Sequence, residues 1–487
     1  MMIGRHRIDV DLMLRFAAEG MTKGAALAMA FLLARWLAAN GFGAYAQTQA
    51  LVAVLVPLVL LGLGFAIIRQ IAGASSTTEI AAPVATAFAI TSLVALSLAA
   101  LLWTASDTIA AHFSDHPSAP SLVRAAALLL PAAAWQSLLF EALRARHRVR
   151  AATLLQIGEA LAALAGIALL FLAGRLTPVA AVNLVAAIKF FVFVCAGLDL
   201  VRSQAIRLSH IGMLPVTGVR AALGLGIPFM IAGLGEALMG LVDRVLVGSL
   251  AGADTVGRYV AAQTLIATLA SWGAPYWWLL YPRMARALAS GAPADAMAAT
   301  HKLFGNFIAW GAPLAVLLVI LGPQILTLAL GEGYRIAPLT MGILVLAVFV
   351  NQAATPWEYF LYISGRAMFL MWVSLAWGLA AVAGIVILLP ELGLLGAAIS
   401  VAAARSGFAL SVVCMAERQG LGPRLLPTAV TYRSAAALAA GLGAAALLNG
   451  WPGVSGVLPW HAAGLFVVTY ALASGVAGYF QARWRTA

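Results

Sequence analysis

The chain has 487 residues, 63% of them hydrophobic and only 9% charged, with a mean hydropathy of +0.99. Soluble proteins carry about 25% charged residues, so this chain has too little polar side chain to cover a globular surface of its own, and a water-soluble enzyme is excluded. The net charge of +12 sits in short loops between apolar runs, a membrane-orientation pattern and not a nucleic-acid-binding one.

A helix crosses the hydrocarbon core with about 20 mostly apolar residues. Fourteen such runs are predicted, at 12–37, 45–68, 83–104, 121–142, 151–173, 178–199, 222–250, 258–281, 303–329, 337–362, 367–389, 393–416, 431–449 and 460–481. The expected fold class is therefore an all-α polytopic membrane protein of about 14 transmembrane helices. The first run holds Arg15, Glu19 and Lys23 and belongs to an internal repeat, so it reads as a helix and not as a cleaved signal peptide. Placing the N-terminus in the cytoplasm puts twenty of the 29 Lys and Arg residues on that side, five on the other and four within helices. Such a bias predicts that both termini face the cytoplasm.

The chain repeats itself. FGAYAQTQAL (42–51) aligns with VGRYVAAQTL (256–265) at an offset of 214, which also carries Arg69 onto Arg283. LAALAGIALL (161–170) aligns with LAAVAGIVIL (379–388) at an offset of 218, which carries Arg148 onto Arg366. Glu141 and Glu358 differ by 217. Six helices per repeat preserve orientation, so the halves are expected to be related by an axis along the membrane normal, with a cavity between two lobes suited to alternating access. The expected division is an N-terminal lobe at 1–200, a cytoplasmic linker at 201–220, a C-terminal lobe at 221–418 and two additional helices within 419–487.

Ionisable residues inside the helices are the informative ones, because each costs about 2.5–3.5 kcal/mol at a helix centre and so faces a bundle interior or a wet cavity. In the first helix Arg15, Glu19, Thr22 and Lys23 share one arc. They form either a ladder of i,i+4 pairs reaching the interface or, at the depth of Lys23, part of a cavity wall. The seventh helix carries Glu236, Asp243 and Arg244, for ion coupling or for structural pairing. Lys189 and Arg405 lie near mid-membrane in otherwise apolar helices, and AAVNLVAAIK (180–189) aligns with AAISVAAAR (397–405) across a one-residue gap. They either attract an anion into the central cavity or pair across the bundle with Glu159 or Glu236. Lys189, Arg405, Lys23 and Arg244 are thus the candidate substrate-binding cations, with Glu19, Glu236 and Asp243 beside them.

Other features weigh little. Prolines 57, 131, 228, 275, 313 and 356 fall within helices, where they permit bending. The Tyr276-Trp277-Trp278 cluster reads as an interfacial anchor. The two cysteines, Cys195 and Cys414, lie in apolar runs and build no disulfide framework or zinc site. The spacing of His112 and His116 is metal-like, but Asp115 and Pro117 mark a turn. No phosphate-binding glycine loop is present, and no metal, cofactor or catalytic constellation is expected; the chain does not read as an enzyme.

LLARWLAANGFGAYAQTQAL (32–51), followed by LGLGFAIIRQIA (61–72), resembles the N-terminal signature of Wzx-type polysaccharide flippases. These belong to the polysaccharide transporter family of the multidrug/oligosaccharidyl-lipid/polysaccharide (MOP) superfamily. LVDRVLVGSLAGADTVGRYVAAQTL (241–265) resembles the family's Asp, glycine-bearing turn and G-x-Y pattern, filled here by Asp243, Gly248, Gly257 and Tyr259. ISGR (363–366) and LGLLGAAIS (392–400) are similar too.

The resemblance implies a flippase that moves undecaprenyl-diphosphate-linked oligosaccharide from the cytoplasmic to the periplasmic leaflet of a bacterial inner membrane, for O-antigen, capsule or exopolysaccharide synthesis. Its partners would be that lipid-linked glycan, the bilayer and the polysaccharide polymerase or export machinery. Three alternatives stand beside it. One is a lipid-linked peptidoglycan precursor flippase, although that family's arginine-rich first-helix motif and its DAF and PN-x-R segments are missing. The second is a multidrug antiporter, which two central cations suit badly. The third is a non-transporting scaffold of a polysaccharide assembly complex.

Overall fold

The computed structural model describes residues 2–419, apart from 65–66, 68–76, 147, 203–214 and 291–292. The predicted helices at 431–449 and 460–481 lie outside the described residues, and so do the side chains of residues 2–19, Glu19 among them. The described chain is helical, with no strand among the described residues. In a bilayer this follows from the need to satisfy every backbone N–H and C=O internally.

Met2–Leu60 is divided at Ala38, whose φ of 56° and ψ of 177° are not helical, into α1 (2–37) and α2 (39–60). Then come α3 (Thr77–Thr104), the short α4 (Ser106–Phe113), α5 (Ala119–Ala145), α6 (Val149–Leu172) and α7 (Pro178–Arg202). A second series follows: α8 (Val216–Gly240), α9 (Val242–Ala251), α10 (Ala253–Ala289), α11 (Pro293–Leu330), α12 (Pro338–Ile363), α13 (Ala367–Leu392) and α14 (Leu394–Arg418). Ten stretches among the described residues are long and apolar enough to cross a membrane, and one of them, Gly20–Leu60, contains both α1 and α2. With α9 continuing α8 across a bend at Leu241 (φ −134°, ψ −34°), each series contributes six long helices, and the chain is a multi-pass membrane protein.

The structure shows why the repeat is visible in the sequence. Ala38 and Gly252 are equivalent at the offset of 214, and they share an unusual backbone, φ 56° and ψ 177° against φ 86° and ψ 162°. Gly166 and Gly384 are equivalent at 218. A Cβ on Gly166 would press on the Leu184 side chain of α7, and one on Gly384 would stand 2.8 Å from Ser400 Oγ of α14. Each glycine thins α6 or α13 so that the next helix can approach.

Packing divides the chain into two compact units, 1–261 with 385–390, and 262–384 with the described residues from 391 onward. In the first unit α5 packs on α3 and α7, and α2 lies antiparallel to α8 and α9. Leu63, Ile67, Val84, Leu138, Leu143 and Leu200 gather the ends of these helices into one core. In the second unit α12 packs on α11 and α14. Phe307 fills a slot between Gly273 and Gly311, stacked on Phe349 at 5.6 Å and tilted against Trp277 at 4.9 Å. Trp277 is 3% exposed and donates Nε1–H to Gln352 Oε1 at 3.0 Å. It is a core residue, not the interfacial anchor expected, because a buried indole needs a partner for its N–H and Gln352 supplies one.

Candidate functional site

Two membrane faces can be told apart by charge. One carries Arg144, Arg146, Arg148, Arg150 and Arg202 at the ends of α5, α6 and α7. The other carries the Ala38 and Gly252 breaks, and its charges are mixed, with Asp107, Asp115 and Asp254 beside Arg124 and Arg258.

At the mixed-charge face the start of α2 crosses the start of α10, backbone to backbone. A Cβ on Gly43 would overlap the Ala253 carbonyl and stand 2.8 Å from Gly257 N; one on Gly257 would overlap the Ala39 carbonyl and stand 3.1 Å from Ala39 Cα. Ala39 with Gly43, and Ala253 with Gly257, are each a small pair four residues apart, the pattern that lets transmembrane helices approach most closely. Around the crossing, Gln47 is fully buried and donates to Phe113 O and to Val245 O, the latter at 3.2 Å. It sits where Gly248 has no side chain. Asp115, between α4 and α5, accepts from Ala253 N at 2.8 Å and so caps α10. The Asp243 carboxylate, 0% exposed, accepts from Tyr259 Oη and from Arg244 N, both at 2.8 Å. The four residues of the family-like pattern, Asp243, Gly248, Gly257 and Tyr259, are therefore parts of this crossing.

At the arginine-rich face α2 ends on Leu61 and Gly62, both with positive φ. There Gly226 of α8 meets the backbone of Leu61 and Gly62, a Cβ on Gly226 standing 3.0 Å from Gly62 C. Gly43 and Gly62 are about 28 Å apart along a helix, close to the thickness of a hydrocarbon core. Segments of the two repeats thus touch at both membrane faces.

Lys189 is engaged. Its Nζ donates to Glu159 Oε1 of α6 at 2.7 Å and to Gln136 Oε1 of α5 at 3.0 Å, and Gln136 Nε2 donates to Glu159 Oε2. Of the two expectations for Lys189, this is the pairing one, and it ties three helices together at mid-membrane. Tilted and stacked rings of Phe88, Trp135, Phe190 and Phe193 flank it. Glu236 differs: its side chain is exposed, and it has no hydrogen-bond or ion-pair partner among the described residues. Lys23 is exposed as well, between Gly20 and Gly24, where an added Cβ would meet nothing within 4 Å. Arg244 is half-buried beside Asp243, and Arg405 is half-buried in α14 of the second unit.

Sequence reasoning passed over Gln47 and Gln136, buried polar side chains whose neighbours come from distant helices. It also passed over the Arg148–Asp199 pair, which clamps the α5–α6 loop to α7 through two bonds of 2.6 and 2.7 Å. For Gln136 a signal existed, since Gln352 stands at an offset of 216, the same as that between Lys189 and Arg405. No group of three or more His, Cys, Asp or Glu among the described residues could hold a metal ion.

The family described as "Polysaccharide biosynthesis protein" matches residues 12–288. No curated protein matches the chain in sequence. Among solved structures, the lipid II flippase MurJ in an inward closed conformation is similar over 95% of this chain and 98% of that one, with a TM-score of 0.74 and 11% identity. An inward-facing multidrug resistance MATE family transporter of the MOP superfamily covers 84% of this chain and 98% of its own, at a TM-score of 0.67 and 12% identity. A MOP superfamily transporter from Pyrococcus furiosus covers 83% and 95%, at a TM-score of 0.58 and 12% identity. At such identities the likeness is one of fold.

Proposed function

The chain belongs to the polysaccharide biosynthesis protein family, and from that premise we propose that it is a flippase for undecaprenyl-diphosphate-linked oligosaccharide, carrying it from the cytoplasmic to the periplasmic leaflet by alternating access. The observation that carries the reading is the family match over 12–288, supported by a fold shared along nearly the whole length of a lipid flippase. In this reading the arginine-rich face is cytoplasmic, both termini lie on that side, and the membrane is a bacterial inner membrane.

The route follows from the two contacts. The Gly62–Gly226 contact parts to admit a lipid-linked glycan from the cytoplasmic leaflet, and the Gly43–Gly257 crossing parts to release it. Lys23, Arg244 and Arg405 are each proposed as substrate-binding cations, while Lys189 pairs with Glu159 and Gln136 and braces α5, α6 and α7. An interior-negative potential supplies about 2.3 kcal/mol per charge per 100 mV for outward movement of an anion. Glu236, a carboxylate without a partner among the described residues, is the residue assigned to ion coupling.

The test uses cells lacking the protein. Polyprenyl-diphosphate oligosaccharides are extracted and quantified beside surface polysaccharide. Accumulation of lipid-linked repeat units with loss of surface polymer is expected, and the mass of the unit names the glycan. Accumulation of the peptidoglycan precursor instead would assign the chain the activity in the name of its MurJ neighbour. Unchanged lipid-linked pools with normal polymer would overturn the flippase reading.

A further inference from the structure

The helix α10 has 37 residues, ample to cross a membrane, yet it is not among the ten described stretches apolar enough to do so. The reason lies along one side of it. Thr264, Thr268 and Ser271 recur at i, i+4 and i+7 and form a partly exposed stripe, and Trp272 and Tyr276 stand along its edge. At the offset of 214 the same positions of the first repeat hold Ala50, Val54, Pro57 and Leu58 of α2, with Gly62 just past its end. At these positions only the second repeat is polar and aromatic.

The opposite side fixes how α10 is turned. Leu269, Trp277 and Leu280 are buried there, and a Cβ on Gly273 would stand 3.1 Å from Gln352 Oε1 of α12 and 3.2 Å from Phe307 Cε2 of α11. With that side pressed on α11 and α12, Trp272 and Tyr276 are carried away from the core. Their ring centroids are 6.4 Å apart, and Tyr276 packs edge-to-face with the buried Phe307 at 6.5 Å. The pair is thus braced from behind by the core of the second unit. Trp272 is 42% exposed. Neither its indole N–H nor the Tyr276 hydroxyl has a hydrogen-bond partner among the described residues.

Polar side chains within a membrane protein turn to a wet cavity or to a partner, and not to lipid. The face of an aromatic ring is electron-rich. A pyranose has the matching form, with one face of slightly positive C–H bonds and a rim of hydroxyls that donate and accept. The C–H face stacks on a ring, and the rim reaches the Trp272 N–H, the Tyr276 hydroxyl and Ser271. Ser271 Oγ donates to Ala267 O at 3.0 Å and keeps its lone pairs to accept. Pro275, four residues on, has no N–H to offer the Ser271 carbonyl, which is a second acceptor on the same stripe. A lipid tail would cover the rings and leave all of these polar atoms unmatched.

We propose that Trp272 and Tyr276 form a stacking platform for a pyranose ring of the transported glycan, with Ser271 beside them as an acceptor for a sugar hydroxyl. The proposal deepens the flippase reading and rests on it, because it gives the sugar end of the lipid-linked glycan a site of its own, apart from the cations. The second repeat then differs from the first for a reason: it carries the rings that hold the sugar.

The full chain is placed in phosphatidylcholine nanodiscs and titrated with undecaprenyl diphosphate, either bare or carrying a single glucose, galactose or N-acetylglucosamine, with native mass spectrometry as the readout. The variants are Trp272→Ala, Trp272→Phe and Tyr276→Phe, with Trp103→Ala of α3, a ring 49% exposed, as a control. The parent is expected to bind at least one sugar-bearing lipid more tightly than the bare one. Trp272→Ala should bind that lipid about tenfold more weakly, the scale of one ring stacked on one aromatic side chain, with binding of the bare lipid unchanged. Trp272→Phe should fall in between. Tyr276→Phe keeps the contact with Phe307 and loses only the hydroxyl, so it should weaken the same lipid by less. Trp103→Ala should bind as the parent does. Equal binding of bare and sugar-bearing lipids by the parent overturns the platform, and so does a Trp272→Ala protein that keeps the preference or loses both lipids alike. Those results leave the flippase reading to the export measurement in cells, whereas a parent that binds none of the diphosphate lipids counts against both.

Discussion

Gly43 and Gly257 occupy the same position of two sequence repeats, and each lies against the backbone of the other's helix: Gly43 on Ala253, Gly257 on Ala39. The contact is reciprocal because Ala39 and Ala253 are themselves equivalent at the offset of 214. A crossing this close depends on absent Cβ atoms, and its consequences differ sharply from those of other glycines in the chain.

Replacing Gly43 or Gly257 by valine forces α2 and α10 apart at the mixed-charge face. On the flippase reading proposed above, in which this crossing is a gate, export should fall by at least about tenfold. In a protein with Cys195 and Cys414 replaced by serine, a cysteine at Ala39 should react faster with a membrane-impermeant maleimide. Gly20→Ala and Gly24→Ala, where an added Cβ meets nothing within 4 Å, should export as the parent does. Equal behaviour of the two sets of variants would remove the crossing from the transport cycle.

Ala38 holds a backbone conformation that its counterpart reaches with glycine. Non-glycine residues in such regions carry about 1–3 kcal/mol of strain, so Ala38→Gly should raise the thermal midpoint of the purified protein. Gly252→Ala should lower it, through strain and because the new methyl group would stand 2.7 Å from Asp115 Oδ2. A destabilised Ala38→Gly protein would show that the break is held by contacts that outweigh its strain.

Lys189, Glu159 and Gln136 satisfy one another, so removing one member strands the rest. Lys189→Ala should destabilise the protein by about 1–3 kcal/mol, the cost of an unmade bond to a charged group away from water. Adding Glu159→Gln should recover most of that loss. A double-mutant cycle on thermal stability measures the coupling. If Lys189→Ala instead left stability intact while abolishing export, the lysine would return to the set of substrate-binding cations.

The loop at 114–118 should respond to acid. Burial pushes the His116 imidazole below its ordinary 6.5, with the Asp115 carboxylate opposing in part. Its Nδ1 accepts from Ser118 N at 3.1 Å, which only an unprotonated nitrogen can do. A histidine whose folded value lies below its unfolded one contributes stability that is present above about pH 6.5 and is lost as pH falls toward the folded value. Thermal midpoints from pH 7.5 down to 5 should therefore fall more steeply for the parent than for His116→Gln. Parallel slopes would assign the acid response elsewhere.

The helices could be read from the sequence because membrane-length apolar runs have few alternatives, and the repeat could be read because equivalent packing positions keep equivalent glycines. What misled was the meaning of glycine. Asn40, Gly41 and Gly43 have the composition of a turn, which set the predicted start of the second helix at 45, yet all three are helical and the break falls at Ala38. Gly43 is there for the crossing, a cause no local window contains. The site was partly legible for a similar reason. Isolated cations announce themselves in an apolar helix, but whether Lys189 meets a ligand or Glu159 depends on how three helices rotate about their axes, which an all-round apolar sequence leaves open.

A contact between a segment and its own repeat has the form of an isologous interface, the kind two identical subunits make about a two-fold axis. In two identical copies every substitution there is felt twice, so each side must stay compatible with itself. Joined in one chain, the sides are released from that condition. One half has glycine at the break where the other has alanine, and one half carries a buried aspartate for its tyrosine while the other gives Tyr45 a glutamine, Gln49, at 3.0 Å. Within one chain, a joint of symmetric form has two sides that can be tuned separately.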